Sequence, residues 1–240
     1  GITVATTGSA NRDAIKEMTN VLSKTQLREV RDIIDHATWS DGSITAGTQS
    51  AKAKKNFQLP EDGLESQKAR TIILEALAGN AEYLTGALPK KIYPPLFNKY
   101  EGSNNKFGNH IDNAVRTHAA SGKHVRTDIS CTLFLTEPSE YDGGELVIED
   151  TFGEQKIKFE AGDMVMYPGS SVHRVEPVTR GARISCFFWT ESMVRGDDQR
   201  RVLYDLDNSI YKLRQVKDGT PEIVRLTGVY HNLMRMWSDV

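Results

Sequence analysis

"ARISCFFW", residues 182–189, reads as a β-strand with two unlike faces. Side chains alternate across a strand, so Ile184, Cys186 and Phe188 share one side, while Arg183, Ser185, Phe187 and Trp189 share the other. The first face is apolar and belongs against a core. The second carries an arginine among aromatics, and burying a guanidinium is costly unless it holds an anion.

Four segments of the same kind precede it: "DISCTLFL" (128–135), "GELVIED" (144–150), "QKIKFE" (155–160) and "DMVMYP" (163–168). Each is short and rich in β-branched or aromatic residues. Turn residues separate them at 141–144, 152–154, 161–163 and 180–182. Such spacing predicts a sandwich or open barrel of jelly-roll type. Asp142-Gly143-Gly144 is expected to be a hairpin turn, because glycine supplies positive φ. Asp163 is expected in a turn, and Met164 and Met166 in the core.

Helical periodicity flanks this region. Ser23 and Gln26 form a capping-box pattern ahead of Leu27, Val30, Ile33, Ile34 and Ala37. Residues 40–63 read as a polar loop, and 65–78 as a second helix stopped by Gly79-Asn80. Beyond the strands, Leu203, Leu206, Ile210 and Leu213 form one apolar stripe. Thr220-Pro221 reads as the cap and first residue of another helix, striped by Ile223, Leu226, Tyr230, Leu233 and Trp237. This pair packs on its own barrel or forms a homodimer.

The bulk properties exclude several classes. A formal net charge of -2 gives no field to recruit nucleic acid or an anionic membrane. No apolar run approaches the roughly 20 residues that span a bilayer. The start, "GITVATTGSANRD", lacks the basic and apolar regions of a signal peptide. Cys131 and Cys186 lie in apolar strands and read as buried free thiols, which fits a reducing, cytoplasmic setting.

"GNHIDNAVR", residues 108–116, is the chemical feature. In a strand, His110 and Asp112 would point to one side, roughly 7 Å apart, and could converge on an ion. A histidine from another strand would complete two nitrogens and one oxygen, the facial triad that suits non-heme Fe(II). His173 in "YPGSSVHRV" (167–175) is the best candidate. Arg183 then stands nearby with a fork that matches a carboxylate. A bare His-x-Asp is weak on its own.

The wider text is more specific. "IYPPLFNKYEGSNNKFGNHIDNA" (92–114), "RTDISCTLFL" (126–135), "YDGGELVIED" (141–150), "AGDMVMYPGSSVHRV" (161–175) and "GVYHNLMRMW" (228–237) resemble the PKHD-type hydroxylases. These are bacterial relatives of the prolyl 4-hydroxylase catalytic domain among the Fe(II)/2-oxoglutarate-dependent dioxygenases. The resemblance runs from about Val21 to Val240. It implies an α+β fold: a double-stranded β-helix (jelly-roll) core over residues 92–192, an N-terminal helical support region over 1–91 and a C-terminal helical extension over 193–240.

It also implies a chemistry. His110, Asp112 and His173 would bind Fe(II), and no catalytic residue is assigned beyond these ligands. Arg183 would pair with the distal carboxylate of 2-oxoglutarate. Tyr100 would touch the same co-substrate through its hydroxyl, although its strand, "LFNKY" (96–100), equally makes it a core tyrosine. O2 is consumed, an unactivated C–H of a primary substrate is hydroxylated, and succinate and CO2 are released. L-ascorbate would keep the iron reduced. The primary substrate is a peptidyl proline or lysine, or a siderophore-like small molecule.

Other readings stay open. A non-catalytic jelly-roll could hold metal and ligand as a sensor, and a cupin-like enzyme could act directly on a bound catechol or keto acid. Arg183 favours the 2-oxoglutarate reading over a sensor. Asn98 and Asn113 could orient ligands or simply close turns, and closing turns is the expected role. His118 and His124 are rival ligands on a Gly/Ser/Lys loop with Arg116, Lys123 and Arg126. That stretch is expected to be solvated; the sharper alternative is a basic lid. His36 and His231 are read as ordinary helix histidines.

Overall fold

The strand that opened the reading, Arg183–Ser192 (β17), lies at the centre of a large antiparallel sheet. The structure, a computed structural model, describes residues 15–45 and 53–240. The N-terminal stretch read for a signal peptide, up to residue 13, lies outside them.

With strands numbered in chain order, the large sheet runs β1 (Lys16–Met18), β14 (Met164–Pro168), β10 (Ile129–Phe134), β17, β6 (Leu96–Tyr100), β4 (Phe57–Gln58), β2 (Ser40–Asp41). Strand β5 (Pro89–Ile92) also pairs with β17. A second antiparallel sheet runs β13 (Gly153–Ile157), β12 (Leu146–Asp150), β15 (His173–Val175), β7 (Lys106–His110), β3 (Lys54–Lys55). Apolar side chains join the two sheets: Tyr100, Phe134, Val165 and Tyr167 from the larger pack with Leu146, Ile148, Ile157 and Val175 from the smaller.

The outer face of the large sheet carries the helices α1 (Lys24–Asp35), α2 (Leu64–Ala78) and α3 (Ala81–Ala87). Val30, Ile34, Ile73, Leu77 and Tyr83 form one buried cluster with Ile184, Cys186, Phe188, Met164 and Met166. The alternation read in residues 182–189 thus assigns both faces correctly. The α1 capping box between Ser23 and Gln26 is present, with both reciprocal hydrogen bonds formed. Both cysteines are buried and free.

Helices α4 (Asp197–Val216) and α5 (Pro221–Trp237) follow the strands as expected, with Thr220 capping α5. Leu203, Tyr230, Leu233 and Trp237 pack against Leu88 and Val194, so much of the predicted stripe is spent on the chain's own body. Leu213 is exposed. Among the described residues, no helix is long and apolar enough to cross a membrane.

The structure corrects three expectations. Residues 40–63 are not all loop: β2, β3 and β4 extend the edges of both sheets, although 46–52 lie outside the described residues. Two-residue strands carry no readable period, and it is the unpaired edges of other strands that recruit them. Asn80 is not merely a stop; its side chain accepts from the Tyr83 amide and caps α3. Asp142-Gly143-Gly144 does have positive φ at both glycines, but it is no hairpin. Strand β11 (Tyr141–Gly143) pairs with the distant β16 (Val178–Gly181), with a bulge at Asp142/Gly143.

Candidate metal centre and co-substrate cavity

Three cross-strand pairs build the site. His110 and His173 are partners between β7 and β15. Ser130 and Trp189 are partners between β10 and β17. Tyr100 and Arg183 are partners between β6 and β17. Because the sheets face each other, the first pair looks across at the other two.

The predicted triad converges. Ligand atoms of His110, Asp112 and His173 all lie within 4.8 Å of one another, a grouping able to hold a metal ion. Nε2 of His110 is 3.7 Å and Nε2 of His173 is 3.5 Å from Oδ1 of Asp112. One detail differs from the sequence reading: β7 ends at His110, so Asp112 is not a strand residue. Side chains, rather than a pleat, direct its carboxylate.

Each ligand's second polar atom is already engaged. Nδ1 of His110 lies 2.8 Å from the Gly108 carbonyl, and Nδ1 of His173 lies 3.0 Å from that of Ser171. A carbonyl only accepts, so both Nδ1 atoms carry the hydrogen and both Nε2 lone pairs face the triad. Oδ2 of Asp112 accepts from Ser130 Oγ at 2.6 Å and from Trp189 Nε1 at 3.0 Å, which leaves Oδ1 to the centre. The His110 ring also stacks on Phe107 at 3.7 Å, and Tyr167 meets His173 edge-on at 5.1 Å.

The electrostatics suit ligands in their metal-binding forms. Burial, then the neighbouring His173, pushes His110 down to about 4, so it is neutral at pH 7. Burial opposes ionisation of Asp112, but His173, Ser130 and Trp189 together hold its carboxyl below the ordinary value.

Arg183 is 1% exposed, and its Nε is buried without a hydrogen-bond partner. Its guanidinium carbon is 5.2 Å from the Tyr100 ring centre and 5.5 Å from that of Phe134. Nearby buried polar atoms are also unpartnered: Asn98 Oδ1, the Asn56 amide and Ser185 Oγ. Tyr100 is fully buried, and that burial raises its hydroxyl above the usual range. Arg183, Tyr100, Asn98, Asn56 and the triad line one cavity of about 850 Å³ including its open part. A carboxylate-bearing co-substrate fits such a floor, because a buried cation whose Nε–H has no partner calls for an anionic acceptor.

Several lining residues escaped the sequence reading. Lys54, Asn56 and Gln58 come from the stretch expected to be loop. Asn98, expected in a turn, sits within β6 and faces the cavity. Ser130 and Trp189 lie on inward strand faces that alternation does identify. That both reach Asp112 depends on cross-strand register, which one sequence does not disclose. The 116–128 stretch is largely a hairpin of β8 (Val115–Thr117) and β9 (His124–Arg126). It holds both rival histidines away from the triad. His118 packs edge-on against Tyr93, near Glu61 and Asp62, and His124 bonds to Thr117.

Comparison with known proteins bears on family and fold. Residues 95–191 match the 2OG-Fe(II) oxygenase superfamily, and residues 197–239 match the PKHD-type hydroxylase C-terminal domain. A PKHD-type hydroxylase of Xanthomonas euvesicatoria pv. vesicatoria is 56% identical over 223 residues, covering 92% of this chain and 97% of that protein. One of Variovorax paradoxus is 56% identical over 221 residues, with the same coverage of 92% and 97%. Among solved structures, a Pseudomonas putida prolyl-4-hydroxylase matches with a TM-score of 0.53 at 18% identity, covering 77% of this chain and 96% of that one. The alpha-ketoglutarate-dependent carbocyclase SnoK of nogalamycin biosynthesis matches with a TM-score of 0.56 at 16% identity, covering 81% and 88%. At these identities the structural likeness speaks for fold alone.

Proposed function

Because the chain belongs to the PKHD-type hydroxylases of the 2OG-Fe(II) oxygenase superfamily, we propose that His110, Asp112 and His173 are its Fe(II) ligands and that Arg183 anchors 2-oxoglutarate. The protein is an Fe(II)- and 2-oxoglutarate-dependent dioxygenase, with ascorbate as the accompanying reductant. The observation that carries the ligand assignment is the set of three open donor atoms within 4.8 Å, each on a residue whose other polar atom is engaged. Two imidazole nitrogens and one carboxylate oxygen are the donor set of non-heme Fe(II) oxygenases.

When bound, the iron and 2-oxoglutarate supply the oxidising power: O2 is consumed, 2-oxoglutarate leaves as succinate and CO2, and one oxygen atom enters a substrate C–H as hydroxyl. The chain's own work is placement. Gly108 and Ser171 carbonyls fix both imidazole tautomers. The depressed basicity of His110 means that no proton has to leave it before a metal binds at neutral pH. Arg183 receives the distal carboxylate through its fork, Tyr100 packs beneath the guanidinium, and Phe107, Phe187 and Trp189 wall the cavity against water.

The two facing sheets are read as a double-stranded β-helix (jelly-roll) core over 92–192, supported by 1–91 and extended by helices over 193–240. Exposed Tyr211, Val216 and Val224 on α4 and α5 suit self-association through that pair. The free, buried cysteines suit a reducing compartment. The primary substrate is a peptidyl residue or a small molecule with an unactivated C–H.

Purified protein given Fe(II), 2-oxoglutarate and air should form succinate, even slowly without primary substrate. Chelation should stop this and fresh Fe(II) restore it. His173→Ala should abolish it, and full turnover in that variant would remove the ligand assignment. A non-catalytic sensor would bind 2-oxoglutarate in a metal-dependent way and release no succinate.

A further inference from the structure

Ser130 and Trp189 aim the carboxylate of Asp112, and the backbone that carries it has a support of its own. Asp112 lies between β7 and β8, in a stretch, 111–114, that belongs to no strand. The support is Thr127, in the short connection, 127–128, between β9 and β10. Thr127 is buried, and its hydroxyl donates to the Asn113 carbonyl at 2.7 Å, with the Ala114 carbonyl at 3.2 Å. Its backbone N–H donates to that Ala114 carbonyl at 3.0 Å. A hydroxyl has one hydrogen to give, so the shorter bond, to the residue next to the ligand, is its main one.

The same connection holds the turn that leads into His173. The Asp128 carbonyl accepts from the Gly169 amide at 3.1 Å. Gly169 approaches so closely that a Cβ on it would sit 2.0 Å from the Thr127 carbonyl oxygen. Two residues further on, Ser171 donates its amide to the Pro168 carbonyl and presents its own carbonyl to Nδ1 of His173. Asp128 is in turn tied to the large sheet: its Oδ2 accepts from the Ser192 amide at 2.9 Å and its Oδ1 from Arg126 Nε at 2.7 Å. Residues 127–128 are therefore one anchored piece, with the backbone after Asp112 on one side and the turn before His173 on the other. A ligand carried on irregular backbone has to be ordered when a metal binds, unless that backbone is already fixed.

We propose that Thr127 is a positioning residue for the metal centre: its hydroxyl holds the segment after Asp112 in the arrangement that leaves Oδ1 of Asp112 3.5 Å from Nε2 of His173. This rests on the Fe(II)-ligand reading of the triad. Thr127 is not among the residues lining the cavity, so it acts through the peptide it holds. Without the hydroxyl, the metal-free protein populates arrangements in which Asp112 is turned away. Fe(II) then binds only the fraction that stays competent, and its apparent affinity falls by that fraction. The worth of one net hydrogen bond puts the loss at about 5-fold.

The test is an anaerobic Fe(II) titration of the full-chain apoprotein, paired with urea unfolding of the same samples. Thr127→Ala and Thr127→Val both delete the hydroxyl, and each should weaken Fe(II) binding by about 5-fold. Thr127→Ser keeps the hydroxyl and should bind Fe(II) as the wild type does. Valine sets a methyl against the carbonyls and alanine leaves a gap, so either variant carries the test if the other does not fold. A merely structural Thr127 gives a different split: the hydroxyl-free variants unfold at lower urea and, while folded, bind Fe(II) with wild-type affinity. That result overturns the proposal. So does a loss in Thr127→Ser equal to that in Thr127→Ala, which would assign the effect to packing of the γ-methyl group. Failure of the ligand assignment is a separate result: the wild type and His173→Ala would then bind Fe(II) alike, and Thr127 would lose the centre it serves.

Discussion

Trp189 donates its indole N–H to Oδ2 of Asp112 at 3.0 Å, across the gap between the two sheets. Its cross-strand partner Ser130 donates to the same oxygen at 2.6 Å. The large sheet therefore aims a carboxylate that emerges from the end of a strand in the small one. Asp112, just past the end of β7, is held by donors from the other sheet, and those donors decide which oxygen remains for a metal.

Removing these donors should weaken metal binding without removing a ligand. Trp189→Phe keeps most of the ring and deletes the N–H; Ser130→Ala deletes the hydroxyl. Each should lower Fe(II) affinity by about 10- to 100-fold, the usual cost of losing an orienting partner. The double variant should lose less than the product of the two, because both act on one oxygen. Anaerobic Fe(II) titration of the apoprotein measures this. Unchanged affinity in both single variants would mean that Asp112 is oriented by something else.

Arg183 separates stability from function. Its guanidinium is almost fully buried and its Nε has no partner. Replacing a buried, poorly compensated charge with an apolar residue of similar size is often neutral or stabilising. Arg183→Met should therefore leave the apoprotein as stable as the wild type or more so in urea unfolding. The same change should raise the 2-oxoglutarate KM by at least about 30-fold, the equivalent of some 2 kcal/mol for a lost buried charge partner. Arg183→Lys should recover little, since a point charge cannot replace a fork. A normal KM in Arg183→Met would move the anchor to another residue.

Much of this was legible in sequence because it depends on local period or on residue chemistry. The two faces of residues 182–189, the α1 capping box and the triad are of that kind. Lys54, Asn56 and Gln58 were hidden because β3 and β4 are two residues long and exist only through pairing with β7 and β6. The support of Asp112 was hidden because it depends on the register of β10 with β17. Asp142-Gly143-Gly144 gave the right backbone and the wrong partner: positive φ is a local property, while pairing with β16 is set by the fold.

That glycine stretch makes its own prediction. Gly143 has φ +72°, and a Cβ there would sit 2.0 Å from the Pro177 carbonyl oxygen. Gly122 has a similar φ of +69° with nothing within 4 Å of a Cβ. Gly122→Ala should cost only the backbone strain, about 1 kcal/mol. Gly143→Ala adds a backbone clash and should cost on the order of 3 kcal/mol, a markedly lower Tm in a thermal melt. Equal losses would mean that the β11–β16 bulge yields without penalty.

The pH dependence of the metal-free protein follows from His110. Its folded-state value is about 4, below the ordinary 6.5 of histidine, because burial and then His173 disfavour the imidazolium. Between these two values the unfolded chain holds the proton more tightly, so stability falls as pH drops from 6.5 toward 4 and levels off below. The contribution above that window is about 3 kcal/mol at most, from the size of the shift. The depressed Asp112 carboxyl adds a loss with the same sign at more acidic pH. Urea unfolding of the apoprotein at pH 7, 5.5 and 4.5 should show the slope, and His110→Asn should flatten it across that range. A wild-type stability that stays level through it would place the proton of this pair elsewhere.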